Sequence, residues 1–179
     1  PERVTAGKSP RRLLDEPEDR RAFEMLPAGS AAGRTRAMLK IQDGCQNFCA
    51  YCIIPRARGP VRSLALRSAA AEAERLNAQG FKEIVVTGIE ISSYGIDLPG
   101  RPSLTDAAAA VSRAAPDARL RLGSLEPTVV TEGFCAALQQ LPNICDHFHL
   151  SLQSGCNLTL RRMRRRYTTD TFHHAVTLL

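Results

Sequence analysis

The chain has 179 residues and a formal net charge of +6, and arginine greatly outnumbers lysine. This length suits one domain with a substantial core, and no stretch is apolar for long enough to predict a transmembrane helix or a signal peptide. We expect a cytoplasmic protein with no membrane partner and, from the arginines, a polyanionic partner such as RNA, although an arginine-rich genome would give the same balance.

Composition divides the chain near residue 35. Residues 1–35 are rich in arginine, proline, glycine and acidic residues and have little periodicity. This predicts a linker or the remnant of a preceding domain, followed by a structured domain over residues 36–179. Pro1 is not an initiator methionine, and a helical pattern is still running at Leu179. We therefore expect the middle of a longer protein, with the domain incomplete at its C-terminus.

Short apolar strands alternate with helices from residue 36 onward. Alternation at this spacing implies right-handed βαβ units and a parallel sheet. The predicted strands cover residues 37–41, 83–88, 119–123 and 147–153, and the helices cover residues 68–79, 103–115 and 131–141, with a last helical region that begins near residue 157 and resumes after residue 169.

Local signals mark the ends of two predicted helices. Ser68 is a suitable N-cap for the first helix, and Gly80 lies where that helix should end. Ser103–Asp106 has the pattern of a capping box, and Pro116 closes the helix that follows. These two helices therefore have the most definite predicted boundaries.

The fourth predicted strand has one polar face. Its side chains alternate between two faces, as in any strand, and one face carries His147, His149, Ser151 and Gln153. Strands buried on both faces of a parallel sheet are usually apolar throughout. The polar face predicts a lumen that holds a polar ligand, or alternatively an edge strand with one solvated face.

Three cysteines form the most informative motif of the chain. Cys45, Cys49 and Cys52 are spaced C-x3-C-x2-C directly after the first predicted strand. Three thiolates on one short loop are suited to three corners of a cubic iron–sulfur cluster, with the fourth iron left without a protein ligand. Such an open position binds a substrate or cofactor directly.

Other interpretations of the three cysteines fit less well. A structural zinc site normally has four Cys or His ligands, and no such fourth residue lies within thirty residues of the loop. Three clustered thiols would also leave one unpaired in a disulfide scheme. Of the remaining cysteines, Cys135 is predicted to pack in the core, and Cys145 and Cys156 have no assigned role.

The cysteine spacing, with Tyr51 before Cys52, resembles the signature of radical S-adenosylmethionine (SAM) enzymes. Within that superfamily the chain is similar to the methylthiotransferase family, which replaces a C–H with C–SCH3 on tRNA adenosines or on a ribosomal protein. The similarity covers residues 34–179 and is carried by Lys40–Cys45, Cys52–Pro55, Arg58–Gly59, Arg62–Ser63, Thr87–Gly95, Gly123–Pro127 and His147–Cys156.

The resemblance implies an α/β fold, a partial (β/α)6 barrel with about four of its six βα units present. In such barrels, catalytic groups gather at the carboxyl ends of the strands. It also implies two cofactors, SAM and a [4Fe-4S] cluster held by Cys45, Cys49 and Cys52. Phe48, Ile53 and Ile54 are expected to supply an apolar wall for the cluster.

The resemblance implies cofactor-binding roles for residues at the strand ends, while the catalytic residues stay unknown. We expect Glu90 to accept a hydrogen bond from the amine of SAM, with Gly88 permitting close approach of the backbone. A strand-end turn with a solvated Glu90 is the alternative. The remaining expected SAM contacts are Tyr51 near the adenine, Ser124 and Glu126 near the ribose, and Gln153 and Ser154 at the end of the fourth strand.

Arg161–Arg166 is a basic run with three open interpretations. It would provide a cation for the carboxylate of SAM, phosphate contacts to RNA that position it without reading sequence, or a solvated helix face. We expect at least one of these arginines to face the barrel mouth. The sequence does not indicate which one.

The implied activity is radical SAM methylthiotransfer, a transferase reaction, on threonylcarbamoyladenosine at position 37 of tRNA. The cluster would reduce SAM to give a 5′-deoxyadenosyl radical. The alternatives are the isopentenyladenosine-type tRNA enzyme and a non-catalytic, metal-stabilised RNA-binding module. The expected partners are tRNA and an electron donor such as a flavodoxin or ferredoxin.

One departure from the family bears on activity. Family members carry a second [4Fe-4S] cluster on an amino-terminal domain with three further cysteines, and residues 1–44 contain no cysteine. We expect that cluster on a domain outside this chain. The isolated chain is therefore expected to lack complete activity.

Overall fold

The computed structural model describes residues 16–25 and 35–179. The predicted linker, residues 1–35, therefore lies mostly outside the described residues. Its described part contacts the domain. The Phe23 ring lies 5.3 Å from Lys40 Nζ, and the Pro17 carbonyl approaches Gly59 so closely that a Cβ on Gly59 would lie 1.9 Å from the Pro17 oxygen.

A four-stranded sheet forms the centre of the fold. Its strands are β1 (Arg36–Asp43), β2 (Arg62–Ser63), β3 (Glu83–Gly88) and β4 (Arg119–Leu122), in the order β2-β1-β3-β4. Strands β1, β3 and β4 are parallel, and β2 pairs antiparallel with the end of β1. Strands β5 (Ser124–Leu125) and β6 (His149–Leu150) form a separate parallel pair.

Six α-helices connect or follow these strands. In chain order they are α1 (Ile54–Arg58), α2 (Leu66–Ala78), α3 (Leu104–Ala114), α4 (Glu132–Gln139), α5 (Asn157–Arg162) and α6 (Thr169–Leu178). Three 3-10 turns complete the described elements, at Pro17–Asp19, Ile91–Ser93 and Pro127–Val129. The alternation confirms the predicted α/β partial barrel. No helix among residues 16–25 and 35–179 is long and apolar enough to cross a membrane.

A side-chain cap explains where α3 begins, whereas the N-cap predicted for α2 was wrong. Ser103 Oγ accepts a hydrogen bond from the Asp106 amide, and Asp106 accepts one from the Ser103 amide, so the predicted capping box is confirmed. Helix α2 begins earlier than predicted, after Ala65 and without a side-chain cap, so Ser68 lies inside it. Gly80 does end that region, with a left-handed φ of 82°.

The fourth predicted strand is much shorter than expected, since β6 covers only His149–Leu150. Gln153 adopts a left-handed φ of 63°, which ends the extended backbone. The carbonyl of Leu152 accepts a hydrogen bond from the Tyr167 hydroxyl at 2.9 Å, and that hydroxyl also contacts the Ser151 carbonyl. Directly after β6, the Ser151 amide still donates to the Leu125 carbonyl of β5 at 3.0 Å, and the Tyr167 hydroxyl, from the α5–α6 connection, holds the next carbonyl.

The core lies between the sheet and the helices that pack on it, chiefly α2 and α3, and it includes Phe134 and Leu138 of α4. On β1, Leu39 and Ile41 are buried, whereas Met38 is 53% exposed, as period-two alternation requires. Residues 83–86 of β3 are buried on both faces, as expected for a central parallel strand. Cys135 packs against this core, which confirms its predicted role.

Glu83 anchors an ion-pair cluster at the amino-terminal edge of the sheet. Its carboxylate accepts hydrogen bonds from Arg121 Nε at 3.1 Å and Arg119 Nε at 3.0 Å, and it also pairs with Arg36. The hydrogen bond from Arg121 is the largest influence that lowers the pKa of Glu83 below its ordinary value of 4.5. The charged carboxylate therefore stabilises the folded chain.

Glu83→Gln should lower the free energy of unfolding by about 1–2 kcal/mol at neutral pH, because it removes the charge that these arginines bind. The native contribution is present above the unfolded-state pKa and is lost as pH falls through the lower folded value. The difference between wild type and variant, measured by urea denaturation, should shrink below about pH 4.5.

The matched control is Glu74→Gln, on the exposed face of α2, which should change stability little. A wild-type advantage that persists unchanged to pH 2 would show that the Glu83 charge is not its source.

Candidate functional site

The cysteine loop connects the carboxyl end of β1 to α1. It begins at Gly44, whose φ is 72° and where a Cβ would lie 1.9 Å from the Pro60 carbonyl oxygen, so only glycine fits there. The Cys45 amide then donates to the Gly59 carbonyl at 3.1 Å, and the Cys52 amide donates to the Cys49 carbonyl at 3.0 Å. The loop is therefore closed by backbone hydrogen bonds at both ends.

The three cysteines of the loop line one cavity of about 170 Å3. All three are free thiols; Cys45 is buried, and Cys49 and Cys52 are half-buried. Burial is the main cause that raises the pKa of the Cys45 thiol. Among the described residues, no three Cys, His, Asp or Glu side chains gather as ligands of a single metal ion.

Three free thiols around one cavity are the donor set that a multi-iron cluster uses. In a cubic cluster each thiolate binds a different iron, so the sulfurs surround a volume instead of converging on a point. Ile54, Ile89 and Leu125 give the cavity an apolar wall. Of the three residues predicted to supply this apolar wall, Ile54 does so. The prediction was wrong for Phe48 and Ile53, which are 55% and 65% exposed because the loop turns them outward.

Glu90 lies on the turn after β3 and lines the same cavity. Its carboxylate caps the following 3-10 turn by accepting from the Ser92 amide at 3.0 Å and from the Ser93 hydroxyl. Its amide donates to Gln42 Oε1 at 2.8 Å. Both the backbone and the side chain of Glu90 are thus fixed before any ligand binds.

Gln42 was missed by sequence reasoning although it joins two parts of the site. It is fully buried on β1, and its Nε2 donates to the Gly44 carbonyl at 2.7 Å and the Asp43 carbonyl at 3.1 Å. Gly88 packs directly on it, since a Cβ there would lie 2.8 Å from Gln42 Oε1. The close approach at Gly88 is therefore to Gln42. The available signal was a glutamine directly after the predicted first strand, three positions before Cys45.

Residues of β5 and residues that follow β5 and β6 form another wall of the cavity. Ser124 Oγ lies 2.8 Å from His149 Nδ1. Glu126 is held through its amide, which donates to Ser92 Oγ at 2.9 Å, and through its carboxylate, which pairs with Arg165. Burial is the largest cause that raises the pKa of Glu126, and Arg165 opposes it.

The structure brings most of the sequence-predicted site residues around this one cavity. Gly88 and Ser154 do not line it, and Ser154 Oγ instead accepts a hydrogen bond from the Cys156 amide at 3.2 Å. The predicted residues that do line it are Cys45, Cys49, Tyr51, Cys52, Glu90, Ser124, Glu126 and Gln153.

Arg165 is the arginine of the basic run that lines this cavity. Its side chain is only 6% exposed, and its Nη1 donates to Cys49 Sγ at 3.2 Å. Arg164 and Arg166 line an adjoining cavity of about 420 Å3, together with Arg165, Cys49, Glu90 and Glu126. Arg161 and Arg162 are exposed on α5.

The sequence model of the radical SAM superfamily matches residues 39–179. The chain belongs to this superfamily. The match confirms the superfamily that the cysteine spacing predicted. SAM and a [4Fe-4S] cluster are the cofactors that membership implies.

Two curated relatives narrow the similarity to methylthiotransferases. The chain is 40% identical over 152 residues to the threonylcarbamoyladenosine tRNA methylthiotransferase MtaB of Bacillus subtilis, covering 85% of this chain and 34% of the relative. It is 36% identical over 146 residues to the tRNA-2-methylthio-N(6)-dimethylallyladenosine synthase of Porphyromonas gingivalis, covering 81% and 32%. The chain therefore spans about a third of the length of these relatives.

A solved structure supports the fold independently. The radical SAM methyltransferase TsrM of Kitasatospora setae, with tryptophan and a SAM analogue bound, superposes with a TM-score of 0.64 at 18% identity. The match covers 80% of this chain and 28% of that chain. At this identity it shows the fold alone, and it confirms the predicted partial barrel of the radical SAM type.

Gln42→Leu should loosen the connection between the cysteine loop and Glu90. The variant removes the acceptor of the Glu90 amide and the donor to the Gly44 carbonyl, and each buried group left unsatisfied costs about 1–3 kcal/mol. We expect faster hydrogen exchange at the Glu90 amide and a lower free energy of unfolding.

Gln79→Leu, at the exposed end of α2, is the matched control and should leave both quantities unchanged. Equal protection of the Glu90 amide in Gln42→Leu and wild type would contradict the connecting role of Gln42.

Proposed function

We propose that this chain is the radical-generating domain of a tRNA methylthiotransferase, a transferase of the radical SAM superfamily. The observation that carries the proposal is the single cavity shared by three free thiols and the polar groups at the strand ends. Similarity to enzymes named tRNA methylthiotransferases supports the reaction class. The complete activity is proposed for the whole protein, of which residues 1–179 provide this domain.

Cys45, Cys49 and Cys52 would hold the [4Fe-4S] cluster. When bound, such a cluster supplies one electron for the cleavage of SAM. The chain's contribution is to position the thiolates on a loop fixed at Gly44 and to keep water away from Cys45 by burial. The apolar wall of Ile54, Ile89 and Leu125 extends that dry environment to the rest of the cavity.

The polar groups around the cavity would bind and orient SAM. Glu90 and Glu126 present carboxylates as acceptors for its amine or ribose hydroxyls, and these carboxylates are already held by the Ser92 amide and by Arg165, respectively. Ser124 and Gln153 provide further polar contacts on another wall of the cavity. Tyr51, which is 54% exposed at the cavity edge, is suited to stack on adenine.

The proposed substrate is threonylcarbamoyladenosine at position 37 of tRNA. The relative named for threonylcarbamoyladenosine is 40% identical, and the relative named for dimethylallyladenosine is 36% identical. The exposed arginines Arg161 and Arg162 are suited to phosphate contacts. We further propose a cytoplasmic enzyme that receives its electron from a flavodoxin or ferredoxin.

Anaerobic reconstitution of the protein with iron and sulfide should give about four irons per chain and a brown chromophore. Addition of SAM and dithionite should then release 5′-deoxyadenosine and methionine. Cys49→Ala should abolish both, since it removes one of three ligands. Cys135→Ala is the matched control, because Cys135 packs against the core, and it should keep both.

Stable binding of zinc without cleavage of SAM would favour the non-catalytic RNA-binding module. An unchanged chromophore in Cys49→Ala would remove the cluster assignment.

Mass spectrometry of tRNA nucleosides from a strain that lacks the full gene should show loss of the methylthio group from threonylcarbamoyladenosine. Reintroducing the gene should restore it, and the Cys49→Ala allele should not. Loss of the methylthio group from dimethylallyladenosine would instead identify the second relative's activity.

A further inference from the structure

The chain places Arg165 beside the cysteine loop by means of a tight turn. Arg164 has a left-handed φ of 57°, and the Arg165 amide donates to the Leu160 carbonyl at 2.9 Å, which closes the end of α5. Leu160 itself is buried. This turn directs the Arg165 side chain inward, whereas Arg164 and Arg166 stay exposed.

Two hydrogen bonds, one between backbone groups and one from a side chain, hold the same turn against the cysteine loop. The Ala50 amide donates to the Met163 carbonyl at 3.1 Å, and Arg166 Nη2 lies 3.4 Å from the Gln46 carbonyl oxygen. Ala50 is the residue directly after Cys49. The position of Arg165 relative to the Cys49 sulfur is therefore set by the packing of two chain segments.

All three nitrogens of the Arg165 guanidinium have partners. Nη1 donates to Cys49 Sγ at 3.2 Å, Nε donates to the Tyr167 hydroxyl at 3.2 Å, and Nη2 pairs with Glu126. The guanidinium carbon also lies 5.0 Å from the centre of the Tyr167 ring. Tyr167 and Glu126 thus fix the guanidinium plane, with Nη1 directed at the sulfur.

The contact with Cys49 is suited to an anionic sulfur. A neutral thiol is a weak acceptor, whereas a thiolate accepts a strong, charge-assisted hydrogen bond. Glu126 offsets much of the positive charge of Arg165, so the hydrogen bond from Nη1 is the main effect at the sulfur. Hydrogen bonds to cluster sulfurs stabilise the more negative, reduced state and raise the reduction potential.

We propose that Arg165 is a positioning residue that donates a hydrogen bond to the cluster-bound Cys49 sulfur and raises the reduction potential of the cluster. This inference rests on the proposed function, because it requires Cys49 to hold a cluster. Arg165 orients the loop at Cys49 and favours uptake of the electron from the external reductant.

Potentiometric titration of the reconstituted protein with dithionite, without SAM and followed by electron paramagnetic resonance, tests the proposal. In Arg165→Gln the equilibrium constant for reduction should fall about tenfold, a shift of the midpoint of about 59 mV to more negative values for a one-electron couple. Arg165→Lys, which keeps the charge without the planar fork, should lie between wild type and Arg165→Gln.

Arg113→Gln, on the exposed end of α3, is the control and should keep the wild-type midpoint. Equal midpoints in wild type and Arg165→Gln, both with full iron content, would overturn the inference and leave the proposed function intact. If the wild-type chain binds no cluster, that result contradicts the proposed function itself, on which this inference rests.

A measurement on the wild-type chain keeps the inference testable if Arg165→Gln does not fold. With 15N-labelled arginine, pulsed electron paramagnetic resonance of the reduced cluster should detect a nitrogen coupled to it through the Cys49 sulfur. The same coupling should be missing in Arg165→Lys. Absence of the coupling in the wild-type protein would overturn the inference.

Discussion

The hydrogen bonds of the buried Gln42 side chain tie the cysteine loop to the edge of the sheet. Its Nε2 donates to the carbonyl of Gly44, directly before Cys45. Its Oε1 accepts from the amide of Glu90, which follows the next parallel strand. Both strands end at the same edge because they run parallel. One buried amide therefore sets the spacing between the cysteine loop and a strand-end carboxylate, and Gly88 is required because it packs on that amide.

A buried ion pair between Glu126 and Arg165 is the second interaction on which the site depends. Glu126 is a largely buried carboxylate at the end of β5, and its partner Arg165 comes from far along the chain, at the α5–α6 turn. A buried carboxylate and a buried guanidinium are each costly alone and acceptable as a hydrogen-bonded pair. The pairing also connects the residue after β5 to the α5–α6 turn, and both partners line the cavity.

Elements with local signals were predicted well, and those that depend on distant contacts were not. The capping box at Ser103 and the end of α2 at Gly80 are decided within a few residues, by side-chain caps and by glycine's access to positive φ. The strand predicted over residues 147–153 covers only His149–Leu150, and beyond it Gln153 takes a positive φ while the Tyr167 hydroxyl, from the α5–α6 connection, binds the Leu152 carbonyl. No local pattern carries that information.

The sequence by itself determined the superfamily, the three thiols, and the alternation of the longer strands and helices, because these follow from spacing, periodicity and motif, whereas the short elements β2, β5 and α1 were not predicted. It also indicated the strand-end polar residues that line the cavity. Only the tertiary structure decided that Arg165 is the arginine directed at Cys49, that Gln42 connects Cys45 to Glu90, and that Phe48 and Ile53 face outward. The physical reason is that each of these depends on which groups are buried together, and burial partners far apart in the chain are fixed by packing.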